Sequence, residues 1–463
     1  MKKPKVLIPV MLHFSIRYIL RTGFLKELSE FADPIIGISW HDDELEEEFK
    51  SLGAEIVNIP AFKFGNDFRH SRDLINIWHK NYRKTPTTSI DHRRERSLLG
   101  GKDLIYQELK YQIDLLKIWS YSDKSQMLER NEELFWSDTN EAEFEKILDE
   151  VKPDYIFSIT PFVNREEPLL RVAQKRNIPM ITSILSFDNV TSRTWIPVTF
   201  DHYFVWNKYN QQELLRSYPI SGREKISICG PVQFDFYWDK SYCWTEAEWR
   251  KYLKIPDSRP VILFGGGTNR IVPNEPLWLK EIDEDITNGK ISGNPVILFR
   301  RHPGDIAERW TPILKEAKNV VVSQIWSANE KHGQTDISRE DIELLISTLA
   351  YSHVQINASS TLTVDGAIFD RPQIGGAYDP GNSKKYDRIL KDLYIREHYL
   401  PITNSGGLDL VYSRDQFVSA INTALEHPEL RADGRRKIVE EICTYADGKS
   451  KERLLQGLKE LII

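Results

Sequence analysis

Short, uninterrupted apolar runs recur along this chain and alternate with stretches in which apolar residues return every three or four positions. Strands buried on both faces give the first pattern, and helices laid over them give the second. The first half predicts strands at KVLIPV (5–10), DPIIGIS (33–39), AEIVNIP (54–60), DYIFSIT (154–160), PMITSIL (179–185) and HYFVWN (202–207), with helices such as EEPLLRVAQKRN (166–177) between them. From about 69 to 150 the pattern changes to long charged and aromatic helices, as in DLIYQELKYQIDLLKIWSYS, which is too well patterned for a linker. The second half repeats the alternation at KISICG (225–230), PVILFGG (260–266), PVILFRR (295–301), NVVVSQ (319–324), HVQINAS (353–359) and PQIGG (372–376), and from about 415 the tail reads as helix throughout. Alternating strands and helices predict parallel sheets covered on both faces. The fold class is therefore α/β, two Rossmann-like doubly wound domains whose strand ends face a cleft.

Length supports two cores, because 463 residues exceed what one core usually serves. The aromatic and turn-rich stretch near 232–245 marks the boundary, giving a first domain over 1–235 with a helical insertion at about 69–150, a second over 236–430, and closing helices over 431–463. Acidic residues number 68 against 62 basic, a formal charge of −6, so the chain has no global attraction to nucleic acid and any anion site must be local. Cys229, Cys443 and Cys243 are odd in number and lack metal-ligand spacing, which argues against a disulfide framework or a zinc site and for a reducing, cytoplasmic setting. No stretch approaches the roughly twenty apolar residues of a membrane span. Membrane contact would be peripheral, and IRYILRTGFLKEL (16–28), amphipathic with Arg17, Arg21 and Lys26 on its polar side, is the segment considered for it.

Chemistry concentrates where second-half strands end. After PVILF comes GGGTNR, in which Gly266 and Gly267 let backbone approach a ligand while Thr268 and Arg270 add a hydroxyl and a charge. After the next run come Arg300, Arg301 and His302, whose crowded positive charge calls for an anion; Pro303 fixes the turn. The structural alternative is that one arginine pairs with Asp305 or Glu308. After HVQINA come Ser359, Ser360 and Thr361, two hydroxyls more than an N-cap needs, and Asp365 follows about one helical turn later, placed to accept from ribose hydroxyls.

These segments resemble a known pattern. His302-Pro303 and Ser359-Ser360-Thr361 are similar to the His-Pro and Ser-Ser/Thr motifs of GT-B glycosyltransferases, more closely of bacterial capsule, teichoic-acid and lipopolysaccharide enzymes such as CDP-glycerol glycerophosphotransferases and polysialyltransferase-like enzymes. The stretches DIELLISTLAYSHVQINASSTLTVDGAIFDRP (341–372) and AINTALEHPELRADGRRKIVEEICTYADGKSKERL (420–454) also resemble this group, over roughly residues 200–460. The resemblance implies a nucleotide bound by the second domain, a last helix crossing back to the first, and transfer from a nucleotide-activated donor to a glycan or lipid-linked glycan acceptor. The acidic motif that carries the base in polysialyltransferase-like enzymes has no counterpart, and Asp365 stands alone where retaining enzymes show paired glutamates.

An inverting transferase needs a base for the acceptor hydroxyl. First-domain candidates are Asp188 in the polar stretch SFDNVTSR, then Glu166 in TPFVNREEP, where the helix dipole favours acids in any case, then His13 after the first strand. No acidic pair demands a metal: Asp42-Asp43 opens an acidic helix and reads as solvated. No cofactor is expected beyond the donor. Two other readings share the fold: an epimerase of the non-hydrolysing UDP-GlcNAc 2-epimerase type, against which the 69–150 insertion argues by adding acceptor surface, and a non-catalytic nucleotide-sugar-binding partner.

Overall fold

Among the described residues thirteen short segments, most of them apolar runs, form strands, and their pairing divides into two parallel sheets. The computed structural model describes residues 2–83, 85–193, 195–218, 220, 222–323 and 338–463, with the backbone alone for residues 13, 14 and 83. Its contacts separate two units: residues up to Thr88 with Leu99–Asp235 and Lys449–Ile463 form the first, and Ser89–Leu98 with Phe236–Gly448 the second.

The first unit holds β1 (Lys5–Val10), β2 (Asp33–Ile38), β3 (Glu55–Asn58), β4 (Tyr155–Ser158), β5 (Met180–Ser183), β6 (His202–Val205) and β7 (Ile226–Ile228), in the order β3-β2-β1-β4-β5-β6-β7. Leu7, Ile8 and Val10 are wholly buried, the two-sided burial that their unbroken apolar run predicted. KISICG is β7 and pairs with β6, inside the stretch 1–235 assigned to the first domain. Five helices between β3 and β4 form the inserted segment, among them Asn66–Arg83, Gly101–Ser120 and Ser125–Asp138. Part of one, Ser89–Leu98, belongs to the second unit, where Arg93 pairs with Asp392 at 2.7 Å.

The stretch 16–28 is not one amphipathic helix. A π-turn over Arg17–Arg21 ends at Gly23, whose φ of 76° suits a residue without a side chain, and a new helix starts at Phe24. Arg21 is paired with Glu48, and Tyr18, Ile19 and Leu20 are buried.

The second unit holds β8 (Val261–Gly265), β9 (Val296–Arg300), β10 (Val320–Val322), β11 (Val354–Asn357), β12 (Gln373–Gly376) and β13 (Leu408–Val411), ordered β10-β9-β8-β11-β12-β13. This is the Rossmann order, in which connections leave the sheet's middle in opposite directions. Strand β13 went unanticipated because Asp409 interrupts its short run, and only its two end residues, Leu408 and Val411, are buried. Of the closing helices, Ala432–Cys443 belongs to the second unit and Ser450–Ile462 to the first. In the first unit Asp235 anchors the latter by accepting the N–H groups of Ser450 and Lys451. All three cysteines are free, and among the described residues no helix is long and apolar enough to cross a membrane.

Candidate functional site

The switch point of the second sheet lies between β8 and β11, with β9 beside β8. Gly265 is in register with Arg300 on one side and Asn357 on the other, so the three strands end level. GGGT, RRH and SST thus emerge side by side at one carboxyl edge, the place where doubly wound sheets take ligands.

Each segment divides into residues that face the core and residues that face outward. A Cβ on Gly266 would lie 2.9 Å from Trp310 and 3.1 Å from Phe299, and its N–H donates to the Arg300 carbonyl, so this glycine serves packing and not ligand approach. Gly267 is half-buried, with only ordinary contacts awaiting a Cβ; its N–H donates to Glu275 Oε2 at 2.7 Å. The Thr268 carbonyl accepts the N–H of Ile271 and Val272, which curls the loop and leaves its side chain half-buried. Arg270 is exposed and pairs with Glu95 at 2.9 Å.

Arg300 was expected to meet phosphate. It is buried, and its guanidinium pairs with Asp341 at 3.6 Å, because a last strand residue follows the pleat into the layer of helices. Arg301 donates to the Asp305 carbonyl. His302 Nδ1 accepts the Gly304 N–H at 3.0 Å, and desolvation holds its pKa below the ordinary histidine value. The neutral ring therefore carries its proton on Nε2, as a donor.

Ser359 has a φ of 45°, a strained value for a residue with a Cβ; its hydroxyl donates to Leu393 O and accepts from Arg396, each at 3.2 Å. The Ser360 N–H donates to Asn357 Oδ1 and its Oγ accepts the Leu362 N–H, both at 3.2 Å, while Thr361 is exposed. Asp365 is buried, and the Tyr237 hydroxyl donates to it at 2.6 Å; it is a core acceptor and not an open partner for ribose.

In the first unit the candidate bases follow β1, β4 and β5, which are neighbours in the sheet. Glu166 is wholly buried, takes hydroxyl hydrogen bonds from Ser158 (2.6 Å) and Thr160, and burial pushes its pKa up to about 8. No acceptor can reach it in this arrangement. Asp188 is half-buried at the start of a helical turn, Asn189–Ser192, rather than in irregular loop; it accepts from Ser186 (2.6 Å), Ser192 (3.0 Å) and Asn189 (3.2 Å). His13 begins the short helix after β1, and its side chain lies outside the described residues.

Residues 187–460, more than half of the chain, match the family of CDP-glycerol:poly(glycerophosphate) glycerophosphotransferases. The chain belongs to this family. Among solved structures it is similar to a UDP-N-acetylglucosamine 2-epimerase homologue from Listeria monocytogenes (TM-score 0.57, 11% identity, covering 100% of this chain and 97% of that one). It is also similar to the UDP-GlcNAc 2-epimerase of Neisseria meningitidis bound to UDP-GlcNAc (0.54, 11%, 98% and 100%) and to a glycosyltransferase from Rickettsia africae (0.51, 11%, 99% and 99%). At such identities these likenesses establish fold alone. No curated protein matches it in sequence. The GT-B resemblance drawn from the motifs holds, and the chain is a GT-B transferase-like enzyme that uses a nucleotide-activated donor.

For a glycerophosphotransferase-family member, the matched span contains every donor-edge candidate and Asp188 but neither Glu166 nor His13. Sequence reasoning missed the support beneath that edge. Glu275 is wholly buried at the start of the helix Glu275–Thr287, with its pKa pushed up to about 8 by burial. It holds Gly267, and Arg309 Nη2 lies 3.1 Å away. Arg309 also pairs with Asp305, which takes the Asn269 N–H and the Trp310 indole N–H, each at 2.7 Å. This network ties the loop after β8 to the loop after β9. A sequence signal existed: Glu-Pro opens both this helix and Glu167–Lys175, and in both cases a glutamate at that junction is buried. Among the described residues no cluster of three or more His, Cys, Asp or Glu side chains is placed to hold a metal.

Proposed function

We propose that this enzyme transfers glycerol phosphate, or a closely related polyol phosphate, from a cytidine diphosphate-activated donor to a hydroxyl of a glycan or polyol-phosphate acceptor. In that step the acceptor oxygen attacks the donor's terminal phosphorus, the bond from that phosphorus to the bridging oxygen breaks, and CMP leaves with the electron pair. The hydroxyl proton passes to a base, and a phosphodiester forms. The observation that carries the reading is the level carboxyl edge of β9, β8 and β11, where neutral His302, Gly267 and the Ser360 and Thr361 side chains lie inside the family-matched span. His302 Nε2 and the Ser360 and Thr361 hydroxyls suit a leaving phosphate, since donors placed before reaction stabilise developing charge without reorganising. Asp188 is the base we would test first, being the one of the three candidates that lies within that span, with a half-buried side chain.

The test is CMP release from CDP-glycerol with a short poly(glycerol phosphate) primer, beside a panel of UDP-, dTDP- and GDP-sugars. His302→Ala should weaken donor binding by about tenfold, the value of one charge-assisted hydrogen bond, with an unchanged melting temperature. Interconversion of UDP-GlcNAc with no CMP release would favour the epimerase reading. Donor binding without turnover for any acceptor would favour the non-catalytic one.

A further inference from the structure

At the amino edge of the second sheet, opposite the donor loops, the starts of β12 and β13 and the helices Arg414–Glu426 and Ala432–Cys443 enclose a cavity. Its volume is about 270 Å³, roughly nine waters' worth of liquid and near the lower end of the range for ligand pockets. Gln373 in its wall is in register with Gln355 of β11, so about 10 Å of strand separate the cavity from the carboxyl edge. None of the residues assigned to the transfer lines it.

The walls are fixed from within the unit. Arg435 is 1% exposed and donates to Asp370 (2.7 Å) and to the carbonyls of Leu430 (2.6 Å) and Pro428 (2.8 Å), which holds the segment between the two helices. Gly407 and Gly434 lie so close that a Cβ on either would collide with the other's backbone, which fastens the second helix to the loop before β13. Ile374, Ala420 and Leu430 give the cavity apolar lining. A frame already in place leaves a ligand little ordering to bring about.

Charge indicates which ligand. The lining carries Arg431 and Arg435 against one acid, Asp409, with His427 beside them, an excess of positive charge on a chain whose formal charge is −6. Arg435 is answered by Asp370. Arg431 is not used up. Nη1 donates to the Gly406 carbonyl (3.3 Å) and Nη2 to Asp409 (3.1 Å), so of the five N–H donors of a guanidinium three have no partner among the described residues. The Arg431 backbone has a φ of 64°, a left-handed value that glycine would adopt freely, so the position holds a guanidinium at a conformational cost. A carboxylate is the anion whose two oxygens match that planar fork. The apolar lining beside it suits a compact hydrocarbon body.

We propose that this cavity binds a small organic carboxylate, with the carboxylate on Arg431 and a compact apolar body against Ile374, Ala420 and Leu430. Binding there requires neither donor nor turnover, so it stands or falls apart from the proposed reaction. The experiment is a fluorine NMR titration of the purified full chain with 4-fluorobenzoate, beside 4-fluorobenzyl alcohol and 4-fluorobenzylamine as neutral and cationic probes of like size. The carboxylate, with about ten heavy atoms, should bind with a dissociation constant of about 1 mM. The alcohol should bind at least about tenfold more weakly, the amine not detectably, and saturating CDP should leave the carboxylate in place. Arg431→Gly suits the left-handed backbone and should weaken the carboxylate at least about tenfold. Ala424→Leu, at a half-buried lining position, should abolish binding by filling the cavity, which keeps the test open if the glycine variant fails to fold. No binding of 4-fluorobenzoate by the unaltered chain overturns the proposal, as does equal binding of the amine or binding unchanged in both variants. Displacement by CDP also overturns it and assigns the carboxylate to the donor edge.

Discussion

Gly266→Ala and Gly267→Ala separate packing from ligand approach within one loop. Neither glycine has a positive φ, so alanine strains neither backbone. At 266 the new methyl meets Trp310 at 2.9 Å and Phe299 at 3.1 Å, two buried rings whose centroids lie 4.4 Å apart. Trp310 cannot swing aside without giving up its hydrogen bond to Asp305. Overpacking costs about 1–3 kcal/mol and the lost hydrogen bond about 1, offset by about 0.4–1 from the stiffer unfolded chain. The net is about 2 kcal/mol, which in a unit of this size lowers the melting temperature by roughly 4–8 °C. At 267 the nearest atom would be Glu275 Oε2 at 3.4 Å, an ordinary contact, so the melting temperature should stay within about 2 °C. Calorimetric titration with CDP reads the other half: Gly267→Ala should weaken binding if phosphate approaches this backbone, and Gly266→Ala should not beyond its effect on folding. An unchanged melting temperature in Gly266→Ala, or equal losses of stability in both, would refute the division between inward and outward glycines.

Three further substitutions test the corrections. Tyr237→Phe leaves the buried Asp365 carboxylate without its 2.6 Å donor and should cost about 1–3 kcal/mol in denaturant unfolding with nucleotide affinity intact; weakened binding with full stability would restore a ribose role. Arg300→Ala takes the guanidinium from beside buried Asp341 and should destabilise by about 3–5 kcal/mol, whereas Arg301→Ala should stay within about 1; the reverse order would refute the pairing. Glu166, raised from 4.5 to about 8, keeps a proton in the fold that the unfolded chain has released, so its contribution to stability falls as pH rises through that window, by at most about 1.4 kcal/mol per pH unit. Glu166→Gln cannot titrate and should flatten that slope in a melting series from pH 5 to 8, and an unaltered slope would show that Glu166 is already ionised.

What the sequence disclosed follows the range of the interactions involved. Two-sided burial leaves an unbroken apolar run in the central strands, and twelve of the thirteen strands among the described residues were legible, including β3 and β10, which are only partly buried. Strand β13 is broken by Asp409 and buried only at its two ends, and it was missed. Partners distant along the chain left no local trace: Asp341 is forty-one positions from Arg300, and Tyr237 is 128 from Asp365. Helical periodicity in 16–28 concealed the break at Gly23, because one left-handed residue does not disturb a 3.6-residue pattern.

The crowded cations after β9 now have a physical account. Three positive side chains in succession would repel one another if each awaited a ligand, yet Arg300 is answered by Asp341, Arg301 by the Asp305 carbonyl, and His302 is neutral, with Nδ1 engaged by Gly304. The same principle governs the loop after β8, where buried Glu275 and Asp305 meet Arg309 and together hold the N–H groups of Gly267 and Asn269. Both loops are thus fixed by interactions inside the unit before any anion arrives. An edge built this way gives up the Coulombic attraction of three free cations. It gains a donor, His302 Nε2, whose position costs little further to organise when charge develops on a departing phosphate. For a transferase that is the more useful arrangement, since attraction felt equally by donor and leaving group would tighten binding without accelerating transfer.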